Sequence, residues 1–402
     1  MRVGIVTTWF ERGGAYVSRN IENALSSQHE VFIYARGGEA YASDDPVWAR
    51  PNVTWGHNVP YPVPGFIHLS EFKRWLKDNK IDTVIFNEQH WWPPILLCIK
   101  MGLRVGTYVD YYTEDTMPLF GCYDFLICNT LRHHKAFEWH SQARYVPWGT
   151  DLEVFRPQHR ERKPDEPVVF FHSAGMNPPR KGTDLAIRAF SQFEGNARLI
   201  IHSQVGVRKA LPALTPVIDR LVSLGRLELI ERTVGAPGLY SLGDVYVYPS
   251  RLDGLGLSVV EALACGLPII TTDAAPMNEF IDPSVGQLVR VSRTYARSDG
   301  YYWPKMDCDI DDLTRSMESY VNDPGLVAGQ RKAARQKAES HYDWSVNGKG
   351  ILRILDTCQR LDPAEKSEAI KKAISFEKKR VGIRPAMYNL YGWLINTTIG
   401  HS

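Results

Sequence analysis

Nowhere in this chain do 18 consecutive residues stay apolar, so the sequence offers no helix able to span a bilayer. A large excess of charge is missing as well. Its 47 Lys and Arg against 45 Asp and Glu leave a formal net charge of +2. That balance gives no reason to expect nucleic acid as a partner, and any basic surface must be local. Cysteines are few: six, at positions 98, 122, 128, 265, 308 and 358, with no C-x-x-C pair. This argues against a zinc site or a disulfide framework and suits a reducing, cytoplasmic compartment. The opening "MRVGIVTTWFERGGA" has an apolar run only over residues 3–6, which reads as a first strand and not as a signal peptide. No repeat of solenoid period is visible.

What is there is a soluble, globular composition, 44% hydrophobic and 23% charged, over 402 residues. That length is too great for one ordinary core and favours two domains, or three. Strand-like "RVGIVTT", "EVFIYAR", "DTVIFN", "RVGTYV" and "DFLICN" alternate with the helical "AYVSRNIENALSS" and "HLSEFKRWLKDN". The stretch 156–167, "RPQHRERKPDEP", has three prolines, seven charged residues and no large apolar side chain, as a linker would. Alternation then resumes with "VVFFHS", a helix from about Thr183, "ARLIIHS", a helix near 212–223, "LELIER" and "DVYVYPS".

This pattern predicts an α/β fold of two tandem doubly wound parallel-sheet domains, 1–155 and 168–361, with C-terminal helices. Ligands of such sheets bind beyond the carboxyl ends of the strands, here in a cleft between the domains. A basic helix and tail, 362–402, follows. It either packs back on the first domain or rests Lys378 to Arg384, with Tyr388, Tyr391 and Trp393, on an anionic membrane surface.

The chemistry concentrates in "SRLDGLGLSVVEALACGLP", residues 250–268. A glycine-containing turn here leads into a helix. Free amides and the positive dipole end at a helix N-terminus suit phosphate, and glycines let a ligand come close. Asp253 before the turn and Glu261 one turn into the helix could accept hydrogen bonds from sugar hydroxyls. On the residues alone, Asp253 is equally well a helix cap and Glu261 a solvated helix residue. "DCDIDD", 307–312, contains D-x-D, but acids at a helix N-terminus explain it better than a metal site.

The order P-S-R-x-[D/E]-G-x-G-x-x-x-x-E-A-x-A-x-G-x-P resembles the signature of the retaining, nucleotide-sugar-dependent glycosyltransferases of group 1. Three further segments agree: "VPWGTDLEVFRP" (146–157), "SAGMNPPRKGTD" (173–184) and the glycine-rich "FERGGAYVSRNIENAL" (10–25), which includes Gly14. The resemblance spans roughly residues 1–360 and implies the GT-B fold. It implies that Glu261 binds the nucleotide ribose and that Asp253 lies by the donor sugar and reacting phosphate. The backbone of Gly254, Leu255, Gly256, Leu257 and Ser258 would hold sugar and phosphate oxygens, and Lys181 would neutralise the leaving diphosphate.

The chain departs from that pattern at three places. Asp253 replaces the usual Glu, one methylene shorter. Met176 stands where a diphosphate-binding arginine is usual, and Arg180 could supply that charge. Val109 stands at the place of a common histidine, so Asp110 or Glu88 would orient the sugar or acceptor hydroxyl. His90 and Trp9 are further acceptor-side candidates, Trp9 and Trp91 as faces for a sugar. The expected activity is metal-independent, cofactor-free retaining transfer from a nucleotide-diphosphate sugar to a carbohydrate or lipid-linked acceptor. Rival readings are a nucleotide-sugar epimerase on the same fold and a sugar-nucleotide-binding protein without turnover.

Overall fold

Continuous apolar runs become central strands because a parallel strand is covered on both faces. β1 (Arg2–Thr7) is buried at every position after its first, and β4 (Thr83–Phe86), β6 (Phe125–Cys128), β11 (Val245–Tyr248) and β12 (Ile269–Thr272) are buried throughout. The computed structural model describes residues 1–37, 41–57, 65–158 and 166–380.

With β2 (Glu30–Ala35), β3 (Val53–Trp55), β5 (Arg104–Tyr108) and β7 (Ala143–Tyr145), the first sheet has seven strands in the order β3-β2-β1-β4-β5-β6-β7, all parallel. The second has six, also parallel. Adding β8 (Val168–Gly175), β9 (Ala197–Ser203), β10 (Leu227–Glu231) and β13 (Gly286–Val289), its order is β10-β9-β8-β11-β12-β13. An antiparallel pair, β14 (Val291–Tyr295) and β15 (Lys305–Cys308), stands apart from both. In each large sheet the strand order reverses beside the first strand, at β1/β4 and at β8/β11. Loops leaving the carboxyl ends of those strands diverge and leave a ligand crevice.

Alternate side chains of the second sheet enter separate cores, as period-2 geometry requires. Phe170 and Val247 pack under helices Thr183–Gln192 and Ile310–Asn322. Phe171 and Tyr246 pack under helices Leu257–Ala264 and Pro324–His341.

The chain forms two units, but not with the boundaries that composition suggests. The first comprises 1–129, 133–146 and 348–402, and the second 130–132 and 147–347. Residues 147–155 join the second unit because Thr150 exchanges backbone hydrogen bonds with Tyr342 (2.9 Å) and Trp344 (3.1 Å), and Trp148 lies 4.3 Å from the Trp344 ring. Helix Lys349–Thr357 belongs to the first unit, where the Arg104 guanidinium donates to the Leu355 and Cys358 carbonyls at 2.8 and 2.7 Å.

Helix Pro363–Arg380 also lies in the first unit. Its Lys366 is ion-paired with the fully buried Asp124, and Arg380 donates to the His90 carbonyl at 2.9 Å. Residues 159–165 of the linker and 381–402 of the tail, including Arg384, Tyr388, Tyr391 and Trp393, lie outside the described residues. Among those described, no helix is long and apolar enough to cross a membrane.

Candidate functional site

In the second unit, the loops after β8 and β11 are stitched together by backbone. The Arg251 amide donates to the Arg180 carbonyl at 2.9 Å, and the Arg180 guanidinium donates to the Leu252 carbonyl at 2.9 Å. Gly182 makes this closeness possible. It caps helix Thr183–Gln192 at φ +71, and a Cβ there would lie 1.9 Å from the Pro249 carbonyl oxygen. Only glycine meets both demands at low cost.

This stitching delivers Lys181 to Asp253, Nζ to Oδ2 at 2.5 Å, with both side chains mostly buried. The Tyr248 hydroxyl, from the last residue of β11, accepts from Lys181 and donates to Asp253. Burial works to raise the Asp253 pKa, but the charges of Lys181 and Arg180 and these hydrogen bonds outweigh it. The carboxylate is therefore held well below its ordinary range. Burial likewise lowers the Lys181 pKa, against the pull of Asp253.

Gly256, at φ +79, caps helix Leu257–Ala264, and no side-chain hydrogen bond covers that helix's N-terminus. Gly254 has nothing within 4 Å of a would-be Cβ, so its backbone lies open. Leu255 turns its side chain inward, whereas Ser258 is half-exposed. One turn on, Glu261 accepts from the Tyr240 hydroxyl at 2.6 Å. Burial raises the Glu261 pKa and outweighs the opposing hydrogen bond from Tyr240.

Several supporting residues escaped the sequence analysis. His172 of β8 is fully buried, its ring nitrogens 2.8 Å from the Val247 carbonyl and 2.8 Å from the Thr183 hydroxyl. Burial lowers its pKa to about 4. A neutral ring donates from Nδ1 and accepts at Nε2, a tautomer assigned from the network. Arg251 clamps Asp184 through two hydrogen bonds of 2.6 and 2.7 Å and also holds Asp307. Asp307 of the D-x-D stretch thus serves Arg251, while Asp309 caps helix Ile310–Asn322 by accepting from the Asp312 amide at 2.9 Å. Met176 is 75% exposed and makes no charged contribution.

In the first unit the loops after β1, β4 and β5 bring Arg12, Glu88 and Asp110 near one another. Glu88 adopts φ +54, unusual outside glycine. Its carboxylate lies where a Cβ on Gly14 would be, 2.7 Å away, so Gly14 makes room for it. The Arg12 guanidinium is 3.1 Å from Glu88 and the Thr8 hydroxyl 3.4 Å. Asp110 follows β5, its pKa pushed up to about 8 by burial and then by the Glu88 charge.

His90 sits edge-on to Tyr111 at 5.2 Å. Burial, with Arg36, Arg380 and Arg12 around it, lowers its pKa to about 4 and keeps it neutral. Trp9 does not offer a face to a sugar. It is 1% exposed, its indole donates to the Trp48 carbonyl at 2.9 Å, and Trp48 packs on it edge-to-face. Following a strand end does not expose a side chain when the 41–52 loop covers it. Trp91 is half-buried against Phe66, and Val109 is wholly core.

Residues 166–297 match the family model described as glycosyl transferases group 1. The chain is 26% identical over 378 residues to a GDP-mannose-dependent monoacylated alpha-(1-6)-phosphatidylinositol monomannoside mannosyltransferase of Corynebacterium glutamicum, covering 81% of this chain and 89% of that one. Among solved structures, the fold matches sucrose-phosphate synthase from Thermosynechococcus elongatus with a TM-score of 0.67 at 15% identity, over 89% of this chain and 98% of the other. It matches Anabaena HepE in complex with UDP with a TM-score of 0.68 at 14% identity, over 89% and 99%. With its two parallel-sheet units of GT-B type, the chain is a glycosyltransferase, and its segment 166–297, which holds the Asp253–Glu261 loop, is similar to the group 1 family.

Proposed function

We propose that this enzyme moves a sugar from a nucleotide-diphosphate sugar to a hydroxyl of a carbohydrate or lipid-linked acceptor, with retention of configuration and without a metal ion. The observation that carries the proposal is the Lys181–Asp253–Tyr248 cluster beside an uncapped helix N-terminus, with Glu261 one turn further on. Lys181, Arg180 and the amides of Gly254 to Ser258 form a positive site for the diphosphate. As the bond from the sugar C1 to the phosphate oxygen breaks, charge grows on the leaving group, and fixed cations and N–H donors stabilise it there. Glu261, steadied by Tyr240, accepts hydrogen bonds from the ribose hydroxyls. Asp253 lies on the sugar side.

Asp110, with its pKa at about 8, is protonated near neutrality. We assign it as a hydrogen-bond donor that orients a hydroxyl, with the acceptor's proton taken by a second group. The leaving phosphate fills that role: the acceptor oxygen bonds to C1 on the face from which the nucleotide departs, and its proton passes to the phosphate oxygen.

Kinship with a mannosyltransferase that uses GDP-mannose makes GDP-mannose the first donor to test, and a glycolipid the first acceptor. Release of nucleoside diphosphate should require acceptor, and NMR of the product should show the donor's anomeric configuration. Inverted product would overturn the retaining mechanism. Conversion of the sugar nucleotide without acceptor would point to an epimerase instead.

A further inference from the structure

A cavity of about 520 Å³ opens in the second unit among residues 156–158, 237–243, the end of helix Leu257–Ala264 and helix Pro324–His341. Gly243 and Leu267 in its wall precede β11 and β12, so it lies toward the amino ends of those strands. The loops bearing Lys181 and Asp253 leave the opposite, carboxyl ends, and neither residue lines it. Its volume suits a small organic molecule.

The cavity's charge is one-sided. Arg156, Arg331, Lys332 and Arg335 line it, and among the described residues no carboxylate does. Arg331 is committed to the buried Asp244 at 2.9 Å, and Arg335 to Glu339 at 2.7 Å and the Ala264 carbonyl at 2.9 Å. Arg156 and Lys332 are exposed and ion-pair with no carboxylate among the described residues. Beside these cations the wall is largely apolar, with Tyr240 and Leu267 among its residues. The chain's own 159–165 segment, HRERKPD, carries three cationic and two acidic side chains, so its charge does not complement this lining.

Tyr240 joins the cavity to the site already described. Tyr240 lines the cavity, and its hydroxyl holds Glu261 at 2.6 Å. We infer that this cavity is a second ligand site, for an organic anion with an apolar body, and that its occupancy is transmitted to Glu261 through Tyr240. The anionic head meets Arg156 and Lys332, and the apolar body lies against Tyr240 and Leu267. Binding stands independently of the role proposed for Glu261; the transmission rests on it.

Hexyl phosphate is a suitable probe, titrated calorimetrically into the full chain beside hexanol and inorganic phosphate. Saturable one-site binding of hexyl phosphate is expected, with both controls about tenfold weaker or worse, since each lacks half of the recognition. The Arg156→Glu/Lys332→Glu double variant should bind hexyl phosphate about tenfold more weakly while transferring sugar normally in its absence. Ala328→Trp, filling the space, should do likewise. Unchanged hexyl phosphate affinity in both variants, or its displacement by the donor nucleotide in direct competition, overturns the site. If binding is lost in the variants but hexyl phosphate leaves the wild-type donor KM unmoved, the transmission through Tyr240 is wrong. The binding arm needs no turnover, so its failure is distinct from failure of the proposed transfer reaction.

Discussion

Asp253 and Glu261, eight positions apart, are each held by a different buried tyrosine: Tyr248 donates to Asp253 and Tyr240 donates to Glu261 at 2.6 Å. Their environments push in opposite directions. Asp253 shares its site with Lys181 and stays ionised far into acid, whereas burial draws the Glu261 carboxyl toward its neutral form. Two acids whose environments differ in this way are suited to separate tasks.

Tyr240→Phe removes only the hydroxyl and leaves the ring that packs on Phe171 at 5.7 Å. Glu261 then loses its one side-chain donor among the described residues, and a hydrogen bond to a charged group contributes about 1.5–3 kcal/mol. Nucleotide affinity should fall about tenfold or more by calorimetry, with melting temperature little changed. Unaltered affinity would mean that Glu261 needs no steadying or does not touch the nucleotide.

Lys181→Met keeps the length of the side chain and deletes its charge. If that charge meets the leaving diphosphate, kcat should drop roughly 100- to 1,000-fold, the size of effect seen when one transition-state donor is removed. The variant also strips Asp253 of its ion pair, so Lys181→Arg is the needed companion. Arginine restores charge with different geometry and should recover part of the rate. Equal loss in both variants, with normal folding, would assign Lys181 to positioning and not to charge.

Gly182 and Gly254 make a matched pair of tests. Gly182→Ala places a methyl 1.9 Å from the Pro249 carbonyl on a backbone at φ +71, so the Lys181 loop must shift. Stability should fall by roughly 1–3 kcal/mol. Gly254→Ala meets nothing within 4 Å and should melt normally. Its effect should appear instead as a raised donor KM, if the donor's phosphate approaches that backbone. Normal kinetics in Gly254→Ala would remove Gly254 from the donor site.

The parts of this molecule that were legible in the sequence are those where geometry restricts residue type. Strands covered on both faces need unbroken apolar runs such as "VVFF", and the turns before two helices need glycine at 182 and 256. The tyrosines were not legible. Tyr240 and Tyr248 read as core, and core they are, but their hydroxyls acquire meaning only from carboxylates that folding brings near. The Arg251 clamp joins Asp184 and Asp307 across more than a hundred positions, which no local pattern discloses. Composition marked 156–167 as exposed chain, yet membership of a unit depends on pairing. Thr150 therefore goes with Tyr342 and Trp344, ahead of that stretch.

Asp110 supplies a test by pH. Its carboxyl titrates near the ordinary value of about 4 when unfolded and at about 8 when folded. Between those limits the native state holds a proton that the unfolded chain has released. Its contribution to stability is thus whole below about pH 4 and is lost as pH rises through about 8, by up to roughly 1.4 kcal/mol per pH unit. Asp110→Asn removes that slope, so its stability relative to wild type should climb steadily from about pH 5 to about pH 8 in urea unfolding. Parallel curves for the two proteins would show that Asp110 is not held protonated.

Lys366 and Asp124 test what anchors the C-terminal helix. Lys366 is 2% exposed and Asp124 is fully buried, and Asp124 also accepts from the Val105 and Leu361 amides, each at 2.7 Å. Deleting the cation leaves a buried charge short of a partner, a change that costs about 3–5 kcal/mol in the general case. The two amide donors remain, so Lys366→Met should fall at the lower end of that range. Lys371, exposed on the same helix, is the control, and Lys371→Met should melt as wild type does. Limited proteolysis discriminates further: Lys366→Met should be cut within helix Pro363–Arg380 well before the rest of the chain, and the control should not. If both variants resist equally, the helix is held by its apolar contacts at Ala369 and Ala373 and not by the ion pair.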